Sequence, residues 1–506
     1  MEQFGLPYYY YNYGFCLFLA LVVLRAKFSA GNKPRPRLPP GPRQLPLIGN
    51  LHHLLHRLPH HAMRDLSLRH GQLMLLRICE RMVVVVSSAE TAREIFKEHD
   101  TAFAQRPSSP GIDELSRHGM GILFAPYGQH WRLLSRILVT ELLSARRVDE
   151  FRRIREDEAA SLAASLASTP PGRLVNVGER FAEFVADSSV RAIFGDRLPD
   201  RAAFLRMVKR GVELPLLFDL RDLFPSSWLV RMLPRSHKAE RHRQDMFRLI
   251  DDVLRHHEER RKAGDGDGEQ DMIDVLLRIQ KDGTMRIALT PGVIRAMLTD
   301  VFGAALDTST ITLQWAMAEL LANPRVMEKA QLEIRSALAG QGRVQEAALK
   351  DLHYLKAVVK ETLRLHPPGP LIPRVCLDDR KIQGYDVPQG TIVVTNVWAI
   401  SRDPKYWEFP DKFMPERFDG EDAVDFRGLD FEFMPFGAGR RICPGMTFAL
   451  ANIEIALASL LHHFDWELPV GAKPEEMDMT EQFGMTVKRK SELLLHPIPR
   501  IPPVDA

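Results

Sequence analysis

Residues 435–445 read Pro435-Phe436-Gly437-Ala438-Gly439-Arg440-Arg441-Ile442-Cys443-Pro444-Gly445. Glycines on both sides of the cysteine let backbone approach a large flat group and leave amide N–H groups free to point at the sulfur. A lone cysteine that lies near arginine and ahead of a helix-forming stretch, here 446–461, is favoured as the thiolate. The pattern therefore predicts that Cys443 is the axial ligand of a haem iron. The alternative is a buried free cysteine in a glycine-rich turn.

Three further motifs support the haem interpretation. They are 304–309 (AALDTS), 361–364 (ETLR) and 415–418 (PERF). With the cysteine stretch, and in this order, they make nearly the whole chain resemble the cytochrome P-450 superfamily. Three other segments resemble its plant microsomal members of specialised metabolism: 38–42 (LPPGP), 103–107 (FAQRP) and 399–404 (AISRDP). The resemblance implies the cytochrome P-450 fold, which is mainly α with a smaller β-sheet region.

Composition limits the remaining possibilities. The 506 residues are 45% hydrophobic, which is enough for a large core. The formal net charge is only +3, so nothing indicates nucleic acid as a partner. Four cysteines, at positions 16, 79, 376 and 443, are far apart. This spacing argues for a reducing compartment and against a disulfide framework.

The first residues predict a membrane anchor. Residues 15–24 are almost wholly apolar, residues 8–13 are rich in tyrosine, and basic residues follow between positions 25 and 37. This charge order opposes a cleaved secretory peptide and orients the body toward the cytosol. We expect a single-pass anchor over 1–28, a basic, proline-rich hinge over 29–50 and a haem-thiolate catalytic domain over 51–506, at the endoplasmic reticulum membrane. A tilted, interfacial anchor is the alternative, because the apolar core is short.

Local patterns give a coarse map of the catalytic domain. The β-branched run near residues 83–86 predicts strands over 73–78 and 82–87, joined by a turn. Threonine followed by proline at 290–291 predicts the start of a long helix that extends to Leu321. Residues 262–269 predict a surface loop, and residues 385–400 predict a return to strands.

The resemblance assigns catalytic roles to two residues of the long helix. Thr308 is expected to hydrogen-bond iron-bound dioxygen, and Asp307 to relay protons from solvent. The small residues around them leave room for a flat macrocycle, and a helical threonine can bond back to the preceding turn. The alternative is a capping or solvated acid–alcohol pair.

The resemblance also assigns the residues that hold haem b. Besides the Cys443 thiolate on the iron, Arg441 and Arg374 match positions that bind the haem propionates, and Trp131 matches a tryptophan that an arginine follows four positions later. That arginine is missing, because position 135 is Ser135, so Arg132 is the expected substitute. The haem-binding residues expected in total are Cys443, Arg441, Arg374, Trp131, Arg132, Phe436 and Gly445.

The ETLR motif at 361–364 and the PERF motif at 415–418 are expected to stabilise the fold around the haem site. Glu361 and Arg364 are three positions apart and share one helix face. The resemblance implies that Arg417 completes an ion-pair network with them. Its role is structural, since breaking a buried network leaves an uncompensated charge.

Electrons must come from another protein. The sequence has no Gly-x-Gly-x-x-Gly motif after a strand, so no flavin or dinucleotide site is predicted. The resemblance implies NADPH–cytochrome P-450 reductase as the partner. Arg440, Arg136 and Arg132 are candidates for a basic docking patch.

The expected substrate is small and hydrophobic. We expect oxidation of a plant metabolite with O2, with a terpenoid skeleton favoured over an aromatic or indolic one. A non-catalytic haem sensor and an O2-independent rearrangement enzyme on the same fold are the rival functions. The candidate pocket walls are apolar: Ile122, Leu123, Phe124, Val301, Ala304, Leu371, Ile372, Phe483 and Met485.

Overall fold

The computed structural model describes residues 36–116, 119–195, 201–213, 220–232, 237–263, 271–283, 289–420 and 423–503. Helices dominate this part of the chain, and short 3-10 and π turns connect several of them. The α-helices are Pro59–His70, Ala89–Arg93, Pro110–Ser116, Gln129–Ile137, Ala145–Glu150, Arg152–Ala167, Val177–Phe194, Arg201–Glu213, Leu220–Leu223, Trp228–Met232, Lys238–Lys262, Met272–Asp282, Pro291–Ala322, Pro324–Ala337, His353–Leu365, Val397–Ile400 and Met446–His463.

A mixed sheet lies beside the helices. Its strand order is β1-β2-β7-β4, where β1 is Leu73–Ile78, β2 is Arg81–Val86, β4 is Leu371–Val375 and β7 is Ile392–Asn396. The β2–β7 pair is parallel, and the other two pairs are antiparallel. The remaining strands form small sheets: β3 Val175–Asn176, β5 Arg380–Ile382, β6 Tyr385–Val387, β8 Phe464–Glu467, β9 Glu481–Gln482, β10 Lys488–Arg489 and β11 Leu494–Pro499.

The long helix, Pro291–Ala322, runs through the core. The Thr290 hydroxyl accepts a hydrogen bond from the Val293 amide, and Pro291 occupies the first turn, so the helix begins where the sequence predicted. Such a cap contributes about 1 kcal/mol. The second half of the helix is almost fully buried, and its Trp315 side chain has no exposed surface. This burial places positions 300–308 at a fixed place inside the protein.

The predicted strands are largely confirmed, with one correction. Strand β1 has the predicted limits, and β2 begins one residue earlier than expected. Residues 397–400 were expected to belong to a strand, but they form a short helix. The Asn396 side chain accepts a hydrogen bond from the Ala399 amide and thereby caps this turn. The predicted loop 262–269 lies mostly outside the described residues, which omit 264–270.

The described part of the hinge packs along β1. The Leu75 amide donates to the Pro40 carbonyl at 2.8 Å, and the Asn50 amide donates to the Arg77 carbonyl at 2.6 Å. A Cβ at Gly41 would lie 2.0 Å from the Leu75 carbonyl oxygen, so only glycine fits there. Residues 36–50 are not helical, as expected from their prolines.

The predicted anchor, 1–28, lies outside the described residues. Among the residues that the structure describes, no helix is both long enough and apolar enough to cross a bilayer. The domain boundaries at residues 28 and 50 stay predictions.

An ion-pair network fixes the segment before the cysteine loop, as expected. Arg364 donates to both carboxylate oxygens of Glu361 at 2.7 and 2.8 Å, and Arg417 donates to the same carboxylate at 3.0 Å. Glu361 and Arg364 have no exposed surface. Arg364 also donates to the carbonyls of Ser401 and Pro410, which ties the helix to the following loops. Removal of one partner would cost roughly 3–5 kcal/mol.

Candidate active site

The cysteine loop, residues 435–445, is held by its own backbone. Gly439 has a φ of 69°, and a Cβ there would lie 2.6 Å from Oδ1 of Asp100 and 2.8 Å from the Phe96 carbonyl oxygen. The Arg440 amide donates to both carboxylate oxygens of Asp100 at 3.1–3.2 Å. The Cys443 amide donates to the Phe436 carbonyl at 3.0 Å. Phe436 thus acts here through its backbone, which closes the turn below the cysteine.

The sulfur of Cys443 has two groups that favour its thiolate and one factor that opposes it. The Gly445 amide donates to Sγ, as the glycine-rich loop predicted, and the guanidinium of Arg106 also acts on the thiol. Burial is the larger influence and raises the pKa of Cys443 above its usual value. The loop alone therefore does not favour the thiolate, contrary to expectation. A bound metal ion would supply the missing stabilisation, because a coordinating thiol is deprotonated outright.

Three arginines converge near this loop. Arg441 donates to the carbonyl oxygens of Ala104 and Ala125, each at 2.5 Å, and its guanidinium lies 4.9 Å from the centre of the Trp131 ring. Burial and the charge of Arg106 lower the pKa of Arg441 to about 10. They also lower the pKa of Arg374 well below its usual value. Nε of Arg106 is buried without a hydrogen-bond partner.

These arginines fit the propionates of a haem. Within the described residues, none of Arg106, Arg374 and Arg441 forms an ion pair, although each is buried or nearly so. Asp300 acts on Arg106 and Asp100 on Arg374, but neither carboxylate forms an ion pair with them. A group with two carboxylates would therefore pair with this positive charge. Sequence reasoning missed Arg106, although it lies in the 103–107 motif that indicated the plant group.

Arg132 lies in a different place from the one expected for a propionate ligand. Its side chain is exposed, and its guanidinium lies 5.1 Å from the centre of the Tyr127 ring. The guanidinium of Arg440 lies 5.9 Å from the same ring. Arg136 is also exposed. The structure therefore favours Arg106 over Arg132 as the third cation of the interior and leaves Arg132 at the surface.

The acid–alcohol pair lies beside open space on the long helix. Thr308 Oγ1 donates to the Ala304 carbonyl at 2.8 Å, which is the back-bonding expected of a helical threonine. Ala304 is exposed although it lies in a core helix, and a Cβ on Gly303 would have no neighbour within 4 Å. The Asp307 carboxylate accepts a hydrogen bond from the Thr486 hydroxyl. Thr486 was not predicted, although it directly follows Met485, which was.

A second acid of the long helix was also missed. Asp300 accepts a hydrogen bond from the Leu123 amide at 2.9 Å, and the Ile122 amide donates to it as well. Burial raises the pKa of Asp300 to about 6, although these amides and Arg106 oppose the rise. The acid therefore fastens the loop before the Trp131 helix to the long helix. The signal in the sequence was an aspartate seven positions before Asp307, on the same helix face.

For some of the predicted pocket walls the structure shows a contact at the long helix, and for the others it shows only their place in the fold. Val301 and Ile122 pack against one hydrophobic cluster, Leu123 joins them through Asp300, and Ala304 borders open space. Leu371 and Ile372 lie on β4, and Phe124 lies in the turn after Leu123. Phe483 and Met485 remain 40% and 38% exposed, and Phe483 stacks on His60 of the first described helix.

Comparisons with known proteins agree with this geometry. The family model for cytochrome P-450 matches residues 39–494. The chain is 45% identical over 487 residues to a desmethyl-deoxy-podophyllotoxin synthase from Sinopodophyllum hexandrum, which covers 95% of each chain. It is 42% identical over 492 residues to a 5-epiaristolochene 1,3-dihydroxylase from Nicotiana tabacum. This match covers 96% of this chain and 97% of the relative.

A solved structure shares the fold. A structure of a zebra fish cytochrome P-450 with abiraterone superposes with a TM-score of 0.74 at 27% identity, and the match covers 87% of this chain and 99% of that one. The family match spans the cysteine loop, the three arginines and the acid–alcohol pair of the long helix. The chain therefore belongs to the cytochrome P-450 family and is a monooxygenase of that family.

Proposed function

We propose that this monooxygenase oxidises a small hydrophobic plant metabolite, with a terpenoid skeleton favoured, at the endoplasmic reticulum membrane. It uses O2 and electrons that reach it from NADPH through a cytochrome P-450 reductase. The observation that carries the proposal is the pairing of a cysteine loop and buried arginines with an acid–alcohol pair beside open space. A haem sensor would need the first two features but not the third.

Haem, when bound, supplies an iron that activates O2. The residues of this chain would bind the haem and deliver protons to its open side. Cys443 offers its sulfur to the iron, and Arg106, Arg374 and Arg441 offer charge to the propionates. Thr308 donates a hydrogen bond from its hydroxyl to the Ala304 carbonyl, and rotation about the Cα–Cβ bond would turn this donor toward the open space beside the helix. Asp307 holds a carboxylate that can take protons from solvent and pass them on.

The apolar pocket walls and the relatives of this chain support a terpenoid as the substrate. Val301 on the long helix and Ile122 on the neighbouring loop are apolar and pack against one hydrophobic cluster, and the Leu123 amide is taken up by Asp300. Relatives at 42–44% identity include a 5-epiaristolochene 1,3-dihydroxylase, a premnaspirodiene oxygenase and a zealexin A1 synthase. The podophyllotoxin-type relative at 45% identity keeps an aromatic substrate as the second candidate.

The position of two arginines supports a docking surface for a reductase beside the cysteine loop. Arg132 and Arg440 both lie over Tyr127, and Arg440 belongs to the cysteine loop. This places positive charge on the surface next to the loop that carries Cys443. An acidic face on a flavoprotein would approach there, and the charges would act mainly on the rate of encounter.

Two measurements test the proposal. Yeast microsomes that contain this protein and a plant reductase should convert at least one member of a terpenoid library, with NADPH consumed and 18O from 18O2 in the product. Reduced, CO-treated membranes should show the thiolate–CO Soret band, and Cys443→Ala should abolish it. An unchanged band in Cys443→Ala would refute the ligand assignment. Product without 18O would favour the rearrangement function, and a normal band without any turnover of terpenoids or aromatics would favour the sensor.

The membrane proposal has its own test. Full-length protein should sediment with microsomes and resist extraction by high salt or carbonate, whereas a variant that lacks residues 1–28 should be released more readily. Complete release of the full-length protein by carbonate would refute the anchor.

A further inference from the structure

Two histidines and a glutamate converge at the start of the first described helix. Nε2 of His60 and Nε2 of His61 lie 2.8 and 2.9 Å from the same oxygen, Oε2 of Glu481. The histidines belong to the helix Pro59–His70, and Glu481 begins β9, so the fold joins residues 421 positions apart. The three ligand atoms lie within 4.8 Å of one another. Imidazole nitrogen and carboxylate oxygen are donors that Zn²⁺ prefers.

A neutral imidazole carries its proton on one ring nitrogen. A proton on Nδ1 therefore leaves Nε2 of His60 and of His61 with the lone pair that a metal ion binds.

Hydrogen bonding alone leaves the cluster incompletely satisfied. Both imidazoles approach Oε2 of Glu481, and neither approaches Oε1. His60 has no exposed surface, and its Nδ1 is buried without a partner among the described residues. Both imidazole nitrogens lie close to one oxygen of the carboxylate, and the other oxygen contacts neither of them. A cation can complete this arrangement.

A cavity gives access to the cluster. Its volume is about 540 Å³, and its lining includes His61, Glu481, Glu319, Asp411, Arg402 and Thr480. The side chain of His61 is 37% exposed, whereas that of Glu481 is 8% exposed. Water can therefore reach the ligand atoms and fill coordination positions that the protein leaves open. Glu319 and Asp411 also line the cavity, but each has a partner of its own, His366 for Glu319 and Arg402 for Asp411.

We propose that His60, His61 and Glu481 bind a divalent transition metal ion of the zinc class, with water in the open positions. Tetrahedral coordination at zinc bond lengths separates ligand atoms by about 3.3 Å, so each imidazole moves by about 0.5 Å from its present distance to Oε2.

The metal would connect two distant parts of the chain. Glu481 lies five positions before Thr486, whose hydroxyl contacts Asp307, and Phe483 between them stacks on His60. A metal on Glu481 therefore fastens the start of this hairpin to the helix Pro59–His70. The inference does not depend on the substrate, because it concerns binding of an ion outside the catalytic pair.

Zinc counting tests the site. The full-length, haem-loaded protein without a polyhistidine tag is dialysed against micromolar Zn²⁺, and zinc and iron are counted by elemental analysis. We expect one zinc per chain in the wild type. Glu481→Gln and His61→Ala should each weaken binding by at least about tenfold, since loss of even an outer-shell partner costs that much. His61→Ala removes a partly exposed side chain, so it tests the site even where Glu481→Gln folds poorly.

Two matched variants control for nonspecific binding. His53→Ala removes one member of another adjacent histidine pair, His52 and His53, and Asp411→Asn removes a charge from the same cavity. Both should bind zinc as the wild type does. Zinc should also raise the midpoint of thermal unfolding of the wild type and both controls, but not of Glu481→Gln. Absence of zinc from the wild type, or undiminished binding by Glu481→Gln and His61→Ala, would overturn the proposal, and neither result depends on oxygenase turnover.

Discussion

The cysteine loop and the hairpin loop, residues 483–487, are built in different ways. The cysteine loop is defined by backbone: Gly439 lies against Asp100 and Phe96, and Arg441 donates to backbone carbonyls on either side. Little in it can shift, because a displaced atom would meet a carbonyl or a carboxylate. This rigidity suits a group whose shape does not vary, which is what a haem is.

The hairpin loop also has a backbone anchor, but it meets the long helix through a side chain. It is anchored at Val487, whose amide donates to the Pro368 carbonyl at 2.9 Å, and it reaches Asp307 through the Thr486 hydroxyl. Its apolar residues Phe483 and Met485 remain partly exposed. Side chains can be exchanged without moving the backbone, so this loop can vary with the substrate while the proton path stays in place.

Substitution at Gly439 should break the cysteine loop and gives the largest expected effect. Gly439→Ala combines left-handed backbone strain with contacts of 2.6 and 2.8 Å, so we expect at least about 3 kcal/mol of destabilisation and loss of bound haem. The measurement is the ratio of haem to protein after purification. Gly471→Ala is the control, because its φ is 87° but its Cβ would meet nothing within 4 Å. Equal haem content in both variants would contradict the rigidity argument.

Removal of Arg106 should weaken haem binding less severely. Arg106→Gln removes a buried cation that has no ion-pair partner within the described residues, so the expected result is faster haem loss at unchanged folding. The measurement is haem transfer to an excess of apomyoglobin, expected to accelerate by roughly tenfold. Arg132→Gln should leave the rate unchanged because its side chain is exposed. The reverse pattern would restore Arg132 as the propionate ligand.

Much of the cysteine loop could be predicted from sequence, and the difference between the two loops explains why. Glycines at positive φ and arginines that must contact backbone leave few alternatives, so Gly439 and Arg441 are recognisable as a pattern. Arg106 and Asp300 were missed because their roles depend on partners brought together by the fold, as in the contact of Asp300 with Leu123 across 177 positions. No local pattern encodes such a contact.

The same reason explains why Thr486 was missed at the hairpin loop. Phe483 and Met485 were predicted as pocket walls from their apolar character and stay predictions, whereas the contact of the polar Thr486 with the long helix depends on the fold. The short helix at 397–400 was missed because its cap, Asn396, ends a run that otherwise has strand character.

Loss of the Thr486 hydroxyl should affect proton delivery without affecting the cysteine loop. Thr486→Val removes the donor to the Asp307 carboxylate but keeps the size and shape of the side chain. We expect haem content to be unchanged and product formed per NADPH to fall by roughly tenfold, with more peroxide released, because a hydrogen bond to a charged group contributes about 1.5 kcal/mol. Thr486→Ser keeps the hydroxyl and should remain coupled. Full coupling in Thr486→Val would show that Asp307 does not need this contact.

The smallest expected effect concerns Glu454, in the helix Met446–His463 that follows the cysteine loop. Within the described residues Glu454 forms no ion pair, and burial raises its pKa to about 7, with Lys356 opposing and Glu346 adding to the rise. The usual value is 4.5. The folded protein therefore binds this proton more tightly than the unfolded chain, so the stabilisation is complete below about pH 4.5 and is lost as pH rises through about 7.

Glu454→Gln cannot ionise, so its midpoint of thermal unfolding should exceed that of the wild type at pH 8 and approach it toward pH 5. The expected difference is on the order of 1 kcal/mol at pH 8, allowing for water near a partly buried group. Glu475→Gln, which changes an exposed carboxylate, should show no such trend. A constant difference between Glu454→Gln and the wild type across this range would mean that Glu454 is already ionised at pH 5. The packing after the cysteine loop would then be looser than its backbone contacts imply.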